Sequence, residues 1–191
     1  MKKFLGRFRF NAPVTLFFAG MCGLALLLDN LTNGWANRTL FSTYNSGLLN
    51  PMTYIRAIGY AFGHANWEHF AGNITYILLL GPLVEEKYGS KGLAEMMAVT
   101  IVLTAIIHGI FFPQYGLLGA SGVVFMLIIL SSISNVKSGE IPITFIIICI
   151  IFLGGQIMDC FRQDNISQLA HIVGGCCGGT FGLFMAGHEK G

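Results

Sequence analysis

Ser121 and His171 are the side chains in this sequence best suited to breaking a covalent bond. Ser121 stands in the run Gly119-Ala120-Ser121-Gly122, and an apolar stretch follows from Val123. His171 stands in Ala170-His171-Ile172-Val173-Gly174, inside a second apolar stretch. A serine hydroxyl is a weak nucleophile until a base takes its proton. A neutral histidine is the usual base near physiological pH. Amide hydrolysis also needs hydrogen-bond donors aimed at the developing oxyanion. His69 and Asn73 are four residues apart and so share one face of a helix. The ring N–H of His69 and the amide of Asn73 can serve as such donors. So can the backbone N–H of Ser121 at the start of a helix, where the first N–H groups have no internal partner.

Small residues surround these groups. Gly119 and Gly122 let backbone and neighbouring helix approach Ser121 closely. Gly174, Gly178 and Gly182 form one row at four-residue spacing, and Gly175 and Gly179 form another. Such rows allow tight helix packing in membranes, which a Ser–His pair drawn from two helices requires. Each feature alone has an ordinary explanation. Small-residue rows are common packing devices, a histidine can bond a backbone carbonyl, and His69 with Asn73 can cap a helix. The Gly-x-Ser-Gly run is not the hydrolase elbow G-x-S-x-G, because residue 123 is valine. His108 reads as structural.

The elements that must hold these residues are membrane helices. The chain has 191 residues, 54% of them hydrophobic and 10% charged, with mean hydropathy +0.68. A soluble chain carries about a quarter charged residues. The expected fold is all-α: a polytopic membrane bundle of six transmembrane helices with a long membrane-associated first loop. One domain is expected over 1–191, with its core at about 10–187. The spans run from about Phe10 to Leu28, His69 to Val84, Leu93 to Phe112, Leu117 to Ser134, Ile141 to Met158 and Ile166 to Ala186. A span needs roughly 17 to 25 residues, so the second must borrow residues upstream. The connection from Asp29 to Gly63 holds Trp35, Phe41, Tyr44, Tyr54 and Tyr60, aromatics suited to the membrane interface.

Basic residues set the orientation. With the N-terminus cytoplasmic, inner segments hold Lys2, Lys3, Arg7, Arg9, Lys87, Lys91, Lys137 and Lys190. Outer segments hold only Arg38, Arg56 and Arg162. Both termini are then cytoplasmic in a cell (inner or plasma) membrane. Ser121, His171, His69 and Asn73 fall at one depth, near the outer face. Unrelated polar residues would scatter.

Other classes fit poorly. No basic cluster suggests nucleic acid. Cys22, Cys149, Cys160, Cys176 and Cys177 follow no metal or redox spacing, and four of them lie in apolar runs. Glu68-His69 lacks the second histidine of the zinc motif H-E-x-x-H. No phosphate-binding glycine loop occurs, so neither metal nor cofactor is expected. No A-x-A-like cleavage site follows Leu28, against reading the first span as a signal peptide. A transporter would want polar residues along a path through the membrane, not at one depth.

Residues 64 to 73, His-Ala-Asn-Trp-Glu-His-Phe-Ala-Gly-Asn, resemble the rhomboid pattern of a histidine, a second histidine five on, and an asparagine four further. Gly119 to Gly122 resemble the rhomboid G-x-S-G motif, and Ala170 to Gly178 resemble its A-H-x-x-G-x-x-x-G motif. Residues 85 to 90, Glu-Glu-Lys-Tyr-Gly-Ser, are similar to the charged end of the second span in that family. The resemblance runs from about Arg56 to the C-terminus. It implies an intramembrane serine endopeptidase of the compact six-span type, with a Ser121–His171 dyad and no third acidic member. It further implies oxyanion donors from His69, Asn73 and the Ser121 N–H, and a mainly structural His64 that bonds the first loop. Transmembrane protein substrates and the lipid bilayer are the implied partners. One departure concerns the first loop, where Ile55 precedes Arg56 in place of the tryptophan many rhomboids carry. The alternative is a catalytically inactive rhomboid-like chaperone or binding protein. Retention of both Ser121 and His171 argues against it.

Overall fold

The computed structural model describes residues 11–133, 143, 146–147, 150–151 and 165–188. Most of the expected fifth span lies outside them, as do Cys149, Cys160 and most of the basic residues that set the orientation. The described chain is helical: α1 (Pro13–Leu31), α2 (Trp35–Thr39), α3 (Pro51–Gly59), a short 3-10 turn (Tyr60–Phe62), α4 (Trp67–Phe111), α5 (Ser121–Ile133) and α6 (Asn165–His188). Among the described residues, strand pairing is limited to one antiparallel bridge between Thr43 and Leu117.

The longest element, α4, spans 45 residues but breaks at Gly89, where φ is 76° and ψ is 159°. Only glycine adopts that backbone without strain. The break folds the helix back on itself. Gly119 lies against His69, and two residues along the next helix Gly122 lies near Thr104. In a straight helix residues 69 and 104 would be about 52 Å apart. Residues 67–88 and 90–111 are therefore two helices folded against each other, covering nearly all of the segments expected as the second and third spans, with Lys87 and Lys91 flanking the turn between them.

Both faces of the helices are apolar. Ile77, Leu93, Met126, Leu127 and Leu130 are fully buried. On the outside, Phe17, Leu27, Leu79, Leu83, Ile106 and Ile110 are each more than half exposed. A helix that is hydrophobic all round belongs in a large core or a bilayer, and 191 residues cannot enclose so many. Both α1 and α4 are long and apolar enough to cross a membrane, while α5 has 13 described residues.

Glu85 joins the N-terminal end of α1 to the end of α4 next to the Gly89 break. It is buried, yet accepts from the N–H groups of Val14 and Thr15 at 2.9 Å each. The hydroxyls of Thr15 and Ser90 also donate to it, at 2.8 and 2.7 Å. Ala12 offers no side-chain cap to α1. A carboxylate from α4 supplies the missing acceptor and suits the positive end of the helix dipole.

The long first connection is ordered by polar anchors. Asn37 donates through Nδ2 to Asp29 and to the His64 carbonyl, both at 2.9 Å. Arg56, buried, donates to the Thr39 carbonyl at 3.0 Å and to Ser46 at 3.1 Å. Its guanidinium lies 4.2 Å from the Tyr44 ring centroid. The loop is thus held without a tryptophan at 55, where Ile55 is half exposed. Leu48, Leu49, Tyr54 and Ile58 are also exposed, giving the loop the apolar outer surface expected of an interfacial segment.

Three boundaries need correction. The apolar run from Leu117 reads as the start of the fourth span, but the helix begins at Ser121. Leu117 instead exchanges backbone hydrogen bonds with Thr43 at 2.9 Å, and the Gly119 N–H donates to the Tyr60 carbonyl at 2.9 Å. The first span is likewise shifted, to Pro13–Leu31, and the second begins two residues early, at Trp67.

Candidate active site

Asn66 starts the site. Its side chain caps α4, accepting from the His69 N–H at 2.8 Å. This fixes the start of α4, whose first two turns carry His69 and Asn73 on one face. Across from them the chain passes through Gly119 at φ 132°, a left-handed backbone suited to glycine. A Cβ there would come within 2.8 Å of His69 Cε1 and 3.0 Å of Nε2. Gly119 therefore lets the turn before Ser121 press against the His69 ring. Tyr60 holds that turn from behind. Its carbonyl accepts from Gly119, and its hydroxyl donates to the Ile101 carbonyl at 3.0 Å.

Helix α5 then opens at Ser121, and α6 carries His171 alongside it. The row Gly174, Gly178 and Gly182 makes this contact. A Cβ on Gly174 would run into the Gly122 carbonyl, one on Gly178 into the Met126 carbonyl, and one on Gly182 into Ile133. Gly175 and Gly179 are different: each would meet Ile129 at 3.7 and 3.8 Å, ordinary contact. Gly174 and Gly178 thus form a backbone-to-backbone seam with α5, and Gly182 continues it against the Ile133 side chain.

Ser121, His171, His69 and Asn73 line one cavity of about 340 Å³. The four residues come from three helices, and the structure brings them together around this cavity. Asn73 is buried, and its Nδ2 has no hydrogen-bond partner among the described residues. A buried donor left unpaired is costly unless a ligand meets it. It lies 3.9 Å from the position a Cβ of Gly119 would take, at the turn that leads into Ser121.

His64 lies behind the site. It is fully buried, with Nδ1 3.0 Å from the Phe62 carbonyl oxygen. That oxygen can only accept, so Nδ1 carries the proton. The ring meets His69 edge-on, centroids 5.1 Å apart, and Phe70 at 5.5 Å. Burial, and then the neighbouring His69, push the His64 imidazole down to about 4. A neutral His64 buttresses the His69 ring. His108, also buried, lies with Nε2 2.8 Å from the Tyr115 carbonyl and so ties the end of α4 to the following loop.

Three contributors escaped the sequence reading. Phe125 stacks on the His171 ring, with centroids 4.2 Å apart and planes 7° apart. Its signal was its position, one turn beyond Ser121. Asn66 carried a cap signature, an asparagine just before a helix. Tyr60 carried none, since its partners are remote in sequence.

The chain matches the rhomboid domain over residues 51–188. It is similar to "Rhomboid-like protein 11, chloroplastic" of Arabidopsis thaliana, 27% identical over 61% of this chain and 47% of that protein. It is also similar to "Rhomboid-related protein 1" of Caenorhabditis elegans, at 29% over 68% of this chain and 39% of that protein. A third relative, "Rhomboid-related protein 2" of Mus musculus, is 25% identical over 89% of this chain and 63% of its own length. The chain thus spans less than two thirds of each of these proteins. The domain match covers most of the chain and includes Ser121, His171, His69 and Asn73: this is a helical membrane protein of the rhomboid family.

Proposed function

We propose that the chain is an intramembrane serine endopeptidase that cuts transmembrane segments of other proteins near the outer membrane face. The observation that carries this reading is the convergence of Ser121, His171, His69 and Asn73 on one cavity. His171 takes the Ser121 proton as Oγ attacks the substrate carbonyl carbon. The carbonyl oxygen becomes an oxyanion that accepts from Asn73 Nδ2, the His69 ring and the Ser121 N–H. His171 then gives the proton to the departing amine, leaving an acyl ester on Ser121. Water, deprotonated by His171, attacks the ester, releases the second product and returns the proton to Ser121. No metal or cofactor enters any step.

The substrate must be locally unwound, because a helix buries its carbonyls in hydrogen bonds. Single-span proteins with Gly or Pro near the outer end are the favoured class. The orientation follows the basic-residue count. Lys87 and Lys91 flank the turn at Gly89, while Arg38 and Arg56 lie on the first loop. Residues 69 and 89 are separated by about 30 Å of helix, the thickness of a bilayer core. These features support a cavity that opens on the extracytoplasmic side of a cell membrane. The test uses a single-span substrate with its N-terminus outside. Cleavage is expected with a Gly-rich segment at the outer end, and lost when that segment moves to the inner end. Equal cutting at both ends would refute the proposed site depth.

A further inference from the structure

One wall of the cavity carries a charge that hydrolysis leaves unused. Glu68, Gly72 and Tyr76 follow at four-residue spacing on α4, and all three line the cavity. Four-residue spacing stacks them along one helix face, each about 6 Å beyond the last. Glu68 and Gly72 are exposed, and Tyr76 is 45% exposed. A Cβ on Gly72 would meet no atom within 4 Å. The wall is therefore a slot, open over Gly72, with a carboxylate at its outer end and an aromatic ring at its inner end.

Among the described residues, Glu68 has no cationic partner, and no other lining residue carries a carboxylate. Glu68 sits in the first turn of α4, where water reaches it and the helix dipole favours a negative charge. A lysine or arginine stem can lie along an apolar surface while its charged head stays hydrated. The slot offers that arrangement, with Tyr76 available to the stem or the cation.

We propose that Glu68 is a specificity residue: a Lys or Arg of the substrate, within a few residues of the cut bond, lies over Gly72 and pairs with Glu68. An acidic residue at that position is disfavoured. This rests on the protease reading of the same cavity. It narrows the substrate class, because outer flanks of membrane spans carry few Lys and Arg.

The test uses the full chain in lipid vesicles and a single-span substrate bearing Ala, Lys or Glu at each position flanking the cut. The readout is the Lys-to-Glu ratio of kcat/KM within each enzyme, which cancels changes in overall turnover. At one position the wild-type ratio should be roughly fivefold or more, the scale of an exposed pair set against an exposed repulsion. It should fall towards one in Glu68→Gln and invert in Glu68→Lys. If Glu68→Lys does not fold, Glu68→Gln decides. The same ratio in all folded enzymes overturns the proposal and leaves Glu68 as a helix-end charge. Ser121-dependent cutting of the Ala substrate without charge preference overturns it alone. No cutting of any substrate overturns the protease reading and the selector together.

Discussion

The His171 ring lies flat on Phe125, centroids 4.2 Å apart, and Phe125 is one helical turn from Ser121. The face of α5 that bears the proposed nucleophile thus also sets the plane of the proposed base. A proton can pass between two side chains only if the base keeps its ring in place, and the stack restricts that ring. Phe125→Ala should lower kcat by about 2- to 12-fold, the scale of an aromatic pair, with KM less affected. Phe125→Tyr should retain most activity. Steady-state kinetics on a transmembrane substrate check this. An unchanged kcat in Phe125→Ala would remove Phe125 from a positioning role.

Asn73 is expected to act in the transition state. Its buried Nδ2 has no partner among the described residues. Loss of one oxyanion donor typically costs about 10² to 10³ in kcat. Asn73→Ala should show that loss with little change in KM. A change in KM alone would make Asn73 a binding residue.

The two glycine rows of α6 should behave differently. Gly174→Ala drives a methyl group into the Gly122 carbonyl, and overpacking of this kind costs about 1 to 3 kcal/mol. Gly175→Ala adds a methyl group at ordinary distance from Ile129 and should be neutral or gain up to about 1 kcal/mol from helix propensity. Thermal unfolding in detergent compares them. Equal Tm values for the two variants would deny the seam between α5 and α6.

His64 gives a pH dependence. Its folded value of about 4 lies below the ordinary imidazole value of 6.5, so the unfolded chain binds the proton more readily. The resulting stability is present above pH 6.5 and lost as pH falls towards 4. The full effect is about 3 kcal/mol. His64→Gln should flatten the Tm–pH curve in that window. A slope equal to wild type would assign the acid sensitivity elsewhere.

The proposed reactive groups were legible because their motifs are short. His69 and Asn73 share one helix face, and Ser121 and His171 each stand among small residues that sequence displays directly. The turn before Ser121 was not legible. Leu117 and Leu118 look like the start of a span, yet Thr43 and Tyr60 hold this segment extended from far along the chain. Glu85 reads as a charge at the end of a span, and only packing reveals it as the cap of α1. The anchoring of Arg56 was hidden for the same reason. Its partners Thr39, Ser46 and Tyr44 form no local pattern.

The most direct test of the central claim is covalent labelling of the purified chain by a fluorophosphonate, with the modified peptide mapped by mass spectrometry. The label is expected on Ser121 and absent in Ser121→Ala. In His171→Ala its rate should fall at least about a hundredfold, the scale of general-base assistance. The double variant should lose no more than Ser121→Ala alone, since the two residues act as one unit. A folded wild-type chain that takes no label, or a label that persists in Ser121→Ala, would contradict the account.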